Sequence, residues 1–222
     1  VKESPIIGED TTIGCNNSIY QGAIIGSLTQ DLKYDGGRTY LSVGDHNIIR
    51  EYVTINRGTS DEAYTKVGSH NSFLAYTHIA HDCIVGNHVI LANGVNVGGH
   101  VEIGDYAYFG GNSAIHPFVR IGSHSIIGGG TAVTADVIPF GLASGPRAAL
   151  HGLNLVGLRR RGFTASQISA VRSAYSDLFV KDGLFAEKLD QLKTERGEDE
   201  MVSLLVSFIE DGQDKNLCQP LK

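Results

Sequence analysis

The residues best suited to chemistry in this 222-residue chain are histidines. His81 is the strongest candidate, because a neutral imidazole can accept a proton from a hydroxyl group at neutral pH. Asp82 follows it directly, and a carboxylate there could hold the His81 tautomer and stabilise its protonated form. Gly99 could bring its backbone N–H close to an oxyanion, although a glycine there could equally serve a tight corner. These residues predict a general base beside an oxyanion donor.

Clustered histidines also suggest a metal site, which is the alternative to general-base chemistry. His81 and His116 resemble part of the three-histidine zinc site of a β-helical class of carbonic anhydrase. The third ligand of that site is expected a few residues after His116, where Arg120, Ile121 and Gly122 stand instead. We therefore expect neither a metal centre nor a cofactor.

A six-residue repeat positions these histidines. From residue 67 onward, twelve successive hexads each open on a bulky apolar residue, often followed by glycine. A helix repeats every 3.6 residues and a strand every two, so the period fits one short strand followed by a corner. The sequence predicts a solenoid. The residues that open its hexads are Val67, Phe73, Ile79, Val85, Leu91, Val97, Ile103, Phe109, Ile115, Ile121, Ile127 and Val133.

Three hexads are expected to close one triangular coil, so that residues 18 apart stack at the ~4.8 Å strand spacing. Insertions at about 28–42 and 60–66 interrupt the repeat. Both insertions leave the coil after the same face, and that face carries the hexads that open just before His81, His100 and His116. The phase of the repeat therefore predicts that these histidines and both loops lie along one edge.

Helical spacing replaces the hexads after Pro139. We predict a β-helix over residues 1–142 and a small α-helical C-terminal domain over 143–222. Thr164 and Gln167 have the spacing of a capping box at the start of one of its helices. The repeat is already running in the first residues of the sequence, so we expect that N-terminal coils are missing.

Composition narrows the class of protein. A net charge of −6 argues against general binding of nucleic acid. No apolar run approaches the length of a membrane span, and no signal-peptide pattern opens the sequence. Cys15, Cys83 and Cys218 follow no disulfide or metal-ligand spacing, which is typical of a reducing, cytoplasmic setting.

Four segments resemble the UDP-N-acetylglucosamine O-acyltransferase family, whose fold is a left-handed parallel β-helix of hexapeptide repeats followed by helices. Hexapeptide repeats alone would be weak support, because many acetyltransferases share them. The insertion, the histidine-rich segment and the C-terminal motif in this order are more specific. The segments are Gln30–Tyr34 (QDLKY), Ile55–Thr59 (INRGT), His78–Cys83 (HIAHDC) and Gly152–Phe163 (GLNLVGLRRRGF).

The resemblance implies a homotrimer with active sites between subunits. It implies transfer of an (R)-3-hydroxyacyl chain from acyl carrier protein to the 3-hydroxyl of UDP-N-acetylglucosamine, the first step of lipid A synthesis, without a metal or a covalent enzyme intermediate. By position, His81 would be the general base, Asp82 its partner and the Gly99 amide the oxyanion donor. Ile126 and Gly129 match the region that measures acyl length. The residues that would contact substrate are Gln30, Asp31, Lys33, His78, His100, His116, Asn154 and Arg160.

Three positions depart from the family pattern. Asn56 stands where a histidine is usual, Pro117 where a glutamine is usual, and Val156 where a glutamate is usual beside the nucleotide. These departures keep a 3-amino analogue of the sugar open as the acceptor. An acetyltransferase that uses acetyl-coenzyme A and a scaffold without catalysis are the alternatives from other classes.

Overall fold

The computed structural model describes residues 4–212 and 216–221. Over these residues the chain forms 21 short strands followed by four helices. The strands are β1 (Ile6–Ile7), β2 (Thr11–Ile13), β3 (Ser18–Ile19), β4 (Ile24–Ser27), β5 (Tyr40–Val43), β6 (Ile48–Ile49), β7 (Thr54–Asn56), β8 (Tyr64–Val67), β9 (Ser72–Phe73), β10 (His78–Ile79), β11 (Ile84–Val85), β12 (Ile90–Leu91), β13 (Asn96–Val97), β14 (Glu102–Ile103), β15 (Tyr108–Phe109), β16 (Ala114–Ile115), β17 (Arg120–Ile121), β18 (Ile126–Ile127), β19 (Ala132–Val133), β20 (Gly141–Ser144) and β21 (Ala149–Leu153). The helices are α1 (Leu155–Arg160), α2 (Ala165–Phe179), α3 (Phe185–Arg196) and α4 (Glu200–Asp211).

The strands stack into three sheets that form a left-handed β-helix, as predicted. Sheet A has the order β1-β4-β7-β10-β13-β16-β19, sheet B β17-β14-β11-β8-β5-β2, and sheet C β21-β20-β18-β15-β12-β9-β6-β3. Pairing is parallel except between β20 and β21. In the uninterrupted coils, paired residues are 18 apart: His78 pairs with Asn96, which pairs with Ala114.

The core is a set of stacked apolar columns. The residue that opens each hexad points inward and is almost fully buried, as in the sheet A column of Ile55, Ile79, Val97 and Ile115. The residue before it faces outward, which gives most two-residue strands an exposed–buried pattern. Burial of these columns supplies the main stabilisation, because each coil covers the apolar residues of its neighbours.

The corners are turned mainly by residues other than glycine. Asp82, His100 and Phe118 all have φ between 58° and 67° at the corner between sheets A and B. The glycine after the apolar residue has a different role: at Gly86 a Cβ would lie 2.4 Å from Asp105 of the next coil. The glycine after the apolar residue therefore allows the close approach of neighbouring coils.

Both insertions leave the β-helix from the end of sheet A, as the phase of the repeat predicted. They connect β4 to β5 through residues 28–39 and β7 to β8 through 57–63. Consequently both connections lie at the A–B corner, where the chain also places His81, Asp82 and His100.

The C-terminal helices pack on the solenoid. Helix α2 begins with the predicted capping box of Thr164 and Gln167. Arg120 of β17 pairs with Asp136 (Nε to Oδ2, 2.8 Å) and donates from Nη2 to the Phe208 carbonyl of α4. Strand β20 runs across the predicted domain boundary and continues sheet C. No helix among the described residues is long and apolar enough to span a bilayer.

Candidate active site

His81 and Asp82 form a hydrogen-bonded pair at the A–B corner. His81 Nδ1 lies 2.8 Å from Asp82 Oδ2. An ionised carboxylate only accepts hydrogen bonds, so this contact places the proton of the neutral imidazole on Nδ1 and leaves Nε2 with a free lone pair. The contact that sequence adjacency left open is therefore present, and its geometry suits a general base held by a carboxylate.

Two threonines hold Asp82. The Thr59 N–H faces both carboxylate oxygens, at 3.3 Å from Oδ1 and 3.1 Å from Oδ2. The Asp82 N–H donates to Thr65 Oγ1 at 2.8 Å. Asp82 has a φ of 58°, so its backbone is in the left-handed region that residues with a Cβ seldom adopt. The carboxylate and its backbone are thus each anchored by a separate hydrogen bond.

Gly99 leaves the space that the His81 ring occupies. A Cβ at residue 99 would lie 2.5 Å from both Cε1 and Nε2 of His81. The carbonyl of Gly99 accepts the Phe118 N–H of the next coil. The sequence suggested an oxyanion donor or a tight corner here, and the structure adds a third reason for glycine: room for the imidazole.

The other predicted histidines lie around this pair. His100 Nε2 is 3.7 Å from Asp82 Oδ2, and its ring stacks on Phe118 with the centroids 4.5 Å apart. His78 Nδ1 lies 2.7 Å from Thr54 Oγ1. Burial, and secondarily the charge of His81, hold the pKa of His78 below its ordinary value. His116 is exposed, one residue before Pro117 at the cavity wall.

The first insertion brings Asp31 to the histidine. Asp31 Oδ2 is 3.8 Å from His81 Nε2, and Asp31 Oδ1 accepts the Lys33 N–H at 3.0 Å. The Asp31 N–H donates to Thr29 Oγ1, which also accepts from Thr59 Oγ1 at 2.9 Å. Hydrogen bonds therefore connect the two insertions to each other and to the carboxylate of the pair.

Two adjoining open cavities meet at His81 and Asp31. One has a volume of about 470 Å³ and extends over the second insertion towards His100, Pro117 and Phe118. The other has a volume of about 570 Å³ and extends along the first insertion, where its lining includes Gln30, Lys33, Asn56 and His78. The free lone pair of His81 thus lies where two reactants could meet from opposite sides.

Four predicted site residues lie elsewhere in the same chain. Asn154 caps α1 by accepting the Gly157 N–H and donates to the His124 carbonyl at the B–C corner. Arg160 is exposed at the end of α1. Ile126 lies on β18 of sheet C, and Gly129 lies at the corner between sheets C and A. A single chain therefore does not bring these four residues to His81.

The A–B corner also carries side chains of the kinds that bind metal ions. Among the described residues, one group of three could hold an ion: His81, Asp82 and His100 each offer a donor atom within 4.8 Å of the others. Cys83, which follows Asp82, is poorly suited as a nucleophile, because burial raises the pKa of its thiol to about 12. All three cysteines are unpaired. The hydrogen bonds around His81 suit proton transfer without requiring an ion.

The three departures from the family pattern have different surroundings. Asn56 is buried, and its Nδ2 donates to Ser27 Oγ (2.7 Å) and to the Leu28 carbonyl (3.1 Å). Pro117 lines the cavity of about 470 Å³, together with His81 and His100. Val156 is exposed in the first turn of α1, a turn that has no acidic residue.

The sequence patterns did not identify the three threonines that form hydrogen bonds around Asp82 and Asp31. Thr29, Thr59 and Thr65 carry no chemistry of their own and lie in or next to the insertions, where the repeat gives no register. Only Thr65 left a signal, because it is a hydroxyl residue whose neighbours in the inward column, Leu41 and Cys83, carry no hydroxyl. Phe118, which stacks on His100, could have been found by its spacing of 18 residues.

Models of two known protein families together match residues 64–218 of the chain. Residues 64–99 and 100–135 match the bacterial transferase hexapeptide (six repeats). Residues 136–218 match domain 2 of UDP-N-acetylglucosamine O-acyltransferase. The two matches follow each other along the chain without overlap, in the order of the β-helix and the helical region.

Relatives and solved structures agree with this match. The chain is 48% identical over 213 residues to the acyl-carrier-protein-dependent UDP-N-acetylglucosamine O-acyltransferase of Burkholderia lata, covering 93% of this chain and 79% of the relative. The enzyme of the same name from Synechocystis is 40% identical, with coverage of 84% and 68%. Among structures, UDP-N-acetylglucosamine O-acyltransferase from Moraxella catarrhalis has a TM-score of 0.86 at 36% identity, covering 95% and 96%. The enzyme from Bacteroides fragilis has a TM-score of 0.91 at 33% identity, covering 98% and 84%.

Proposed function

Because the chain belongs to the UDP-N-acetylglucosamine O-acyltransferase family, we propose that it moves an (R)-3-hydroxyacyl chain from acyl carrier protein to the 3-hydroxyl of UDP-N-acetylglucosamine, in lipid A biosynthesis. The observation that carries the chemistry is the 2.8 Å contact between His81 Nδ1 and Asp82 Oδ2. It leaves Nε2 as the base at the junction of two cavities.

In the proposed reaction, His81 Nε2 takes the proton of the sugar hydroxyl as its oxygen attacks the acyl carbonyl carbon. The carbonyl oxygen becomes an oxyanion, for which the Gly99 N–H is the proposed donor. Collapse of this intermediate breaks the bond to the acyl carrier, and His81 returns the proton to the leaving group. Asp82 stabilises the imidazolium in between, and no bond forms between enzyme and acyl chain.

The placement of the residues supports the proposed substrate contacts. Asp31, Lys33, His78 and His100 lie within reach of the cavities, and His116 stands at their edge. Gln30 is proposed to contact the nucleotide sugar from the first insertion. Lys33 supplies positive charge that can pair with phosphate.

We further propose that the active chain is a homotrimer. Asn154 bonds to the His124 carbonyl at the B–C corner, Arg160 lies at the end of α1, and Ile126 and Gly129 lie on and beside sheet C, all away from the A–B corner that carries His81. A neighbouring copy could bring them to that histidine. The family resemblance favours this arrangement, since it implies sites between subunits.

The protein is proposed to work in the cytoplasm with acyl carrier protein as its partner. Its three unpaired cysteines support a reducing compartment. Arg159 and Arg160 are exposed and could pair with acidic groups of the carrier or with phosphate.

A 3-amino sugar nucleotide is the second candidate acceptor. Asn56 replaces a residue that could titrate, and its Oδ1 is buried without a hydrogen-bond partner among the described residues. Val156 removes a carboxylate beside the nucleotide. Either change could alter which acceptor is held, so both acceptors belong in the same assay.

The test is a transfer assay with purified protein, a panel of (R)-3-hydroxyacyl carrier proteins and each of the two acceptors. We expect transfer by the wild type and a loss of about 10²–10⁴-fold in His81→Ala, the range for removal of a general base. His88→Ala is the matched control, because His88 is a corner histidine on another edge. Full activity of His81→Ala would reject the proposed base, and no transfer with any pair would reject the proposed function.

A further inference from the structure

We propose that Thr65 is a positioning residue for the reaction: its buried hydroxyl sets the orientation of Asp82 and, through Asp82, that of His81. This inference rests on the proposed role of His81 as the base. It starts from a regularity of the corners and from its failure at Asp82.

In a regular corner, the residue with positive φ donates its N–H to a carbonyl of the coil beneath. His100 donates to the His81 carbonyl and Phe118 to the Gly99 carbonyl, both at 3.0 Å. Donor and acceptor are 19 residues apart in each case. The B–C corner follows the same rule, since His88 donates to the Ser69 carbonyl. The backbone of the coil beneath normally satisfies this N–H.

The second insertion removes that acceptor for Asp82. The residue 19 positions earlier is Ala63, whose carbonyl instead accepts the Tyr40 N–H of the coil beneath, at 2.9 Å. The Asp82 N–H donates to Thr65 Oγ1, at 2.8 Å. A side-chain hydroxyl thus replaces the missing carbonyl at the corner that carries the catalytic pair.

The surroundings of Thr65 indicate that its hydroxyl serves this hydrogen bond and not packing. Thr65 is 0% exposed, and the residues above and below it in the same inward column are apolar or a thiol: Leu41, Cys83, Val101 and Val119. Packing alone would be served by valine, which has the shape of threonine. The hydroxyl is needed because a buried N–H without an acceptor is costly.

The hydrogen bond bears directly on the catalytic pair. Asp82 has the strained φ of 58°, and His81 precedes it in the same corner. Thr65 holds the backbone of Asp82 while the Thr59 N–H holds its carboxylate. If the backbone relaxed, Oδ2 would move away from His81 Nδ1, and the tautomer with a free Nε2 would no longer be favoured.

The experiment compares Thr65→Val, Thr65→Ser and Thr77→Val in the transfer assay. Thr77 is also a fully buried threonine, but its hydroxyl donates to the Leu74 carbonyl at a different corner. We expect Thr65→Val to lower kcat by about 10–100-fold with KM for the sugar nucleotide little changed, because ground-state binding is retained. Thr65→Ser should restore most of kcat, and Thr77→Val should leave it within about threefold.

A spectroscopic measurement separates positioning from loss of stability. Side-chain ¹⁵N shifts report which histidine nitrogen carries the proton, and the His81 signal is identified by its absence in His81→Ala. We expect the Nδ1-protonated form in wild type, Thr65→Ser and Thr77→Val, and a mixture of tautomers in Thr65→Val. Wild-type kcat and an unchanged His81 tautomer in Thr65→Val would overturn this inference. Full activity of His81→Ala would instead overturn the proposed base.

Discussion

At the scale of the residue, the position of the His81 ring depends on the absence of a side chain at Gly99. The His81 ring occupies the space beside Gly99 that a side chain would fill. Gly99 does not have a positive φ, so alanine could adopt its backbone conformation. The requirement for glycine at this position is therefore one of space, and it can be tested without straining the chain.

Gly99→Ala should displace the imidazole and lower kcat/KM by about 10²-fold, since a shift of about 1 Å in a catalytic group costs that much. The thermal midpoint should change little. Gly111→Ala is the matched control, because Gly111 takes the same place in a corner between sheets C and A and a Cβ there would meet only the Asn93 carbonyl at 3.2 Å. Equal activities of the two variants would show that His81 does not need the space.

Removal of metal should leave the reaction unchanged, because His81 and Asp82 carry out the proposed proton transfer alone. Dialysis against EDTA is expected to keep kcat within about twofold of the untreated protein, whereas added Zn²⁺ should inhibit by occupying the donors of His81, Asp82 and His100. His100→Ala should weaken the inhibition by about tenfold or more, the loss expected when one of three ligands is removed. Activity lost to EDTA and restored by Zn²⁺ would contradict the metal-free mechanism.

At the scale of the element, a ladder of asparagine side chains supports the B–C corner. Asn47 Oδ1 accepts the Asn71 N–H at 2.9 Å, and Asn71 Oδ1 accepts the Val89 N–H at 2.7 Å. Asn71 Nδ2 donates to the Gly86 carbonyl at 3.0 Å. Each asparagine therefore links its own coil to the next through the backbone.

Asn71→Ala should lower the free energy of unfolding by about 2–4 kcal/mol, because the Val89 N–H and the Gly86 carbonyl lose their partner in the interior. Asn96→Ala is the control, since the Asn96 side chain is exposed and its amide donates to the Gly94 carbonyl of its own corner. Its effect should stay within about 0.5 kcal/mol. Urea unfolding followed by circular dichroism measures both, and equal midpoints would show that the ladder adds no stability.

A second ladder at this corner consists of stacked rings. His70, His88, Tyr106, His124 and Phe140 stack with centroids 4.5–5.7 Å apart. His124 is packed between Tyr106 and Phe140 in this ladder. Burial, and then the nearby Arg161, lower the pKa of His124 to about 4.

Acidification should therefore destabilise the chain through His124. Below pH ~6.5 the unfolded state binds a proton at this residue that the folded state does not, so stability falls between pH ~6.5 and about 4 and is fully retained above that range. His124→Phe should remove part of the fall, because phenylalanine keeps the stack and does not titrate. Thermal midpoints at pH 5 and 7.5 measure this, with His88→Phe as an exposed control. The same pH dependence in both variants would refute it.

The hexads were sufficient to predict the three-sided coil, the inward columns and the face from which both insertions leave, because each follows from the period alone. The period also placed His81 and His100 at one edge. Thr59 and Thr65 could not be assigned, since an insertion shifts the register. The Thr59 N–H donates to the Asp82 carboxylate and the Thr65 hydroxyl accepts the Asp82 N–H, and neither contact follows from the period. Helix α1 was missed because six residues are too few for a helical pattern.

At the scale of the whole molecule, the predicted site residues do not gather at one edge of the solenoid. His81, Asp82 and Asp31 are at the A–B corner, whereas Asn154 donates to the His124 carbonyl at the B–C corner and Arg160 lies at the end of the helix that Asn154 caps. Both groups can act on one sugar nucleotide only if they come from different copies. The proposed trimer, in which subunits share sites, therefore differs from a trimer whose subunits work alone in how it responds to mixing of two inactive variants.

Two variants that are each inactive should regain transfer activity when their chains assemble into the same trimer. If His81 of one subunit and Arg160 of its neighbour serve the same site, trimers refolded from equal amounts of His81→Ala and Arg160→Ala chains contain sites in which both residues are intact. Random mixing makes about one quarter of the sites intact. Activity should thus rise from near zero in each variant to about a quarter of wild type. Mixing the variants without unfolding provides the control, because the subunits then do not exchange. If refolded mixtures stay inactive, either both residues come from one chain or Arg160 does not serve the site, and the shared-site arrangement would have to be abandoned.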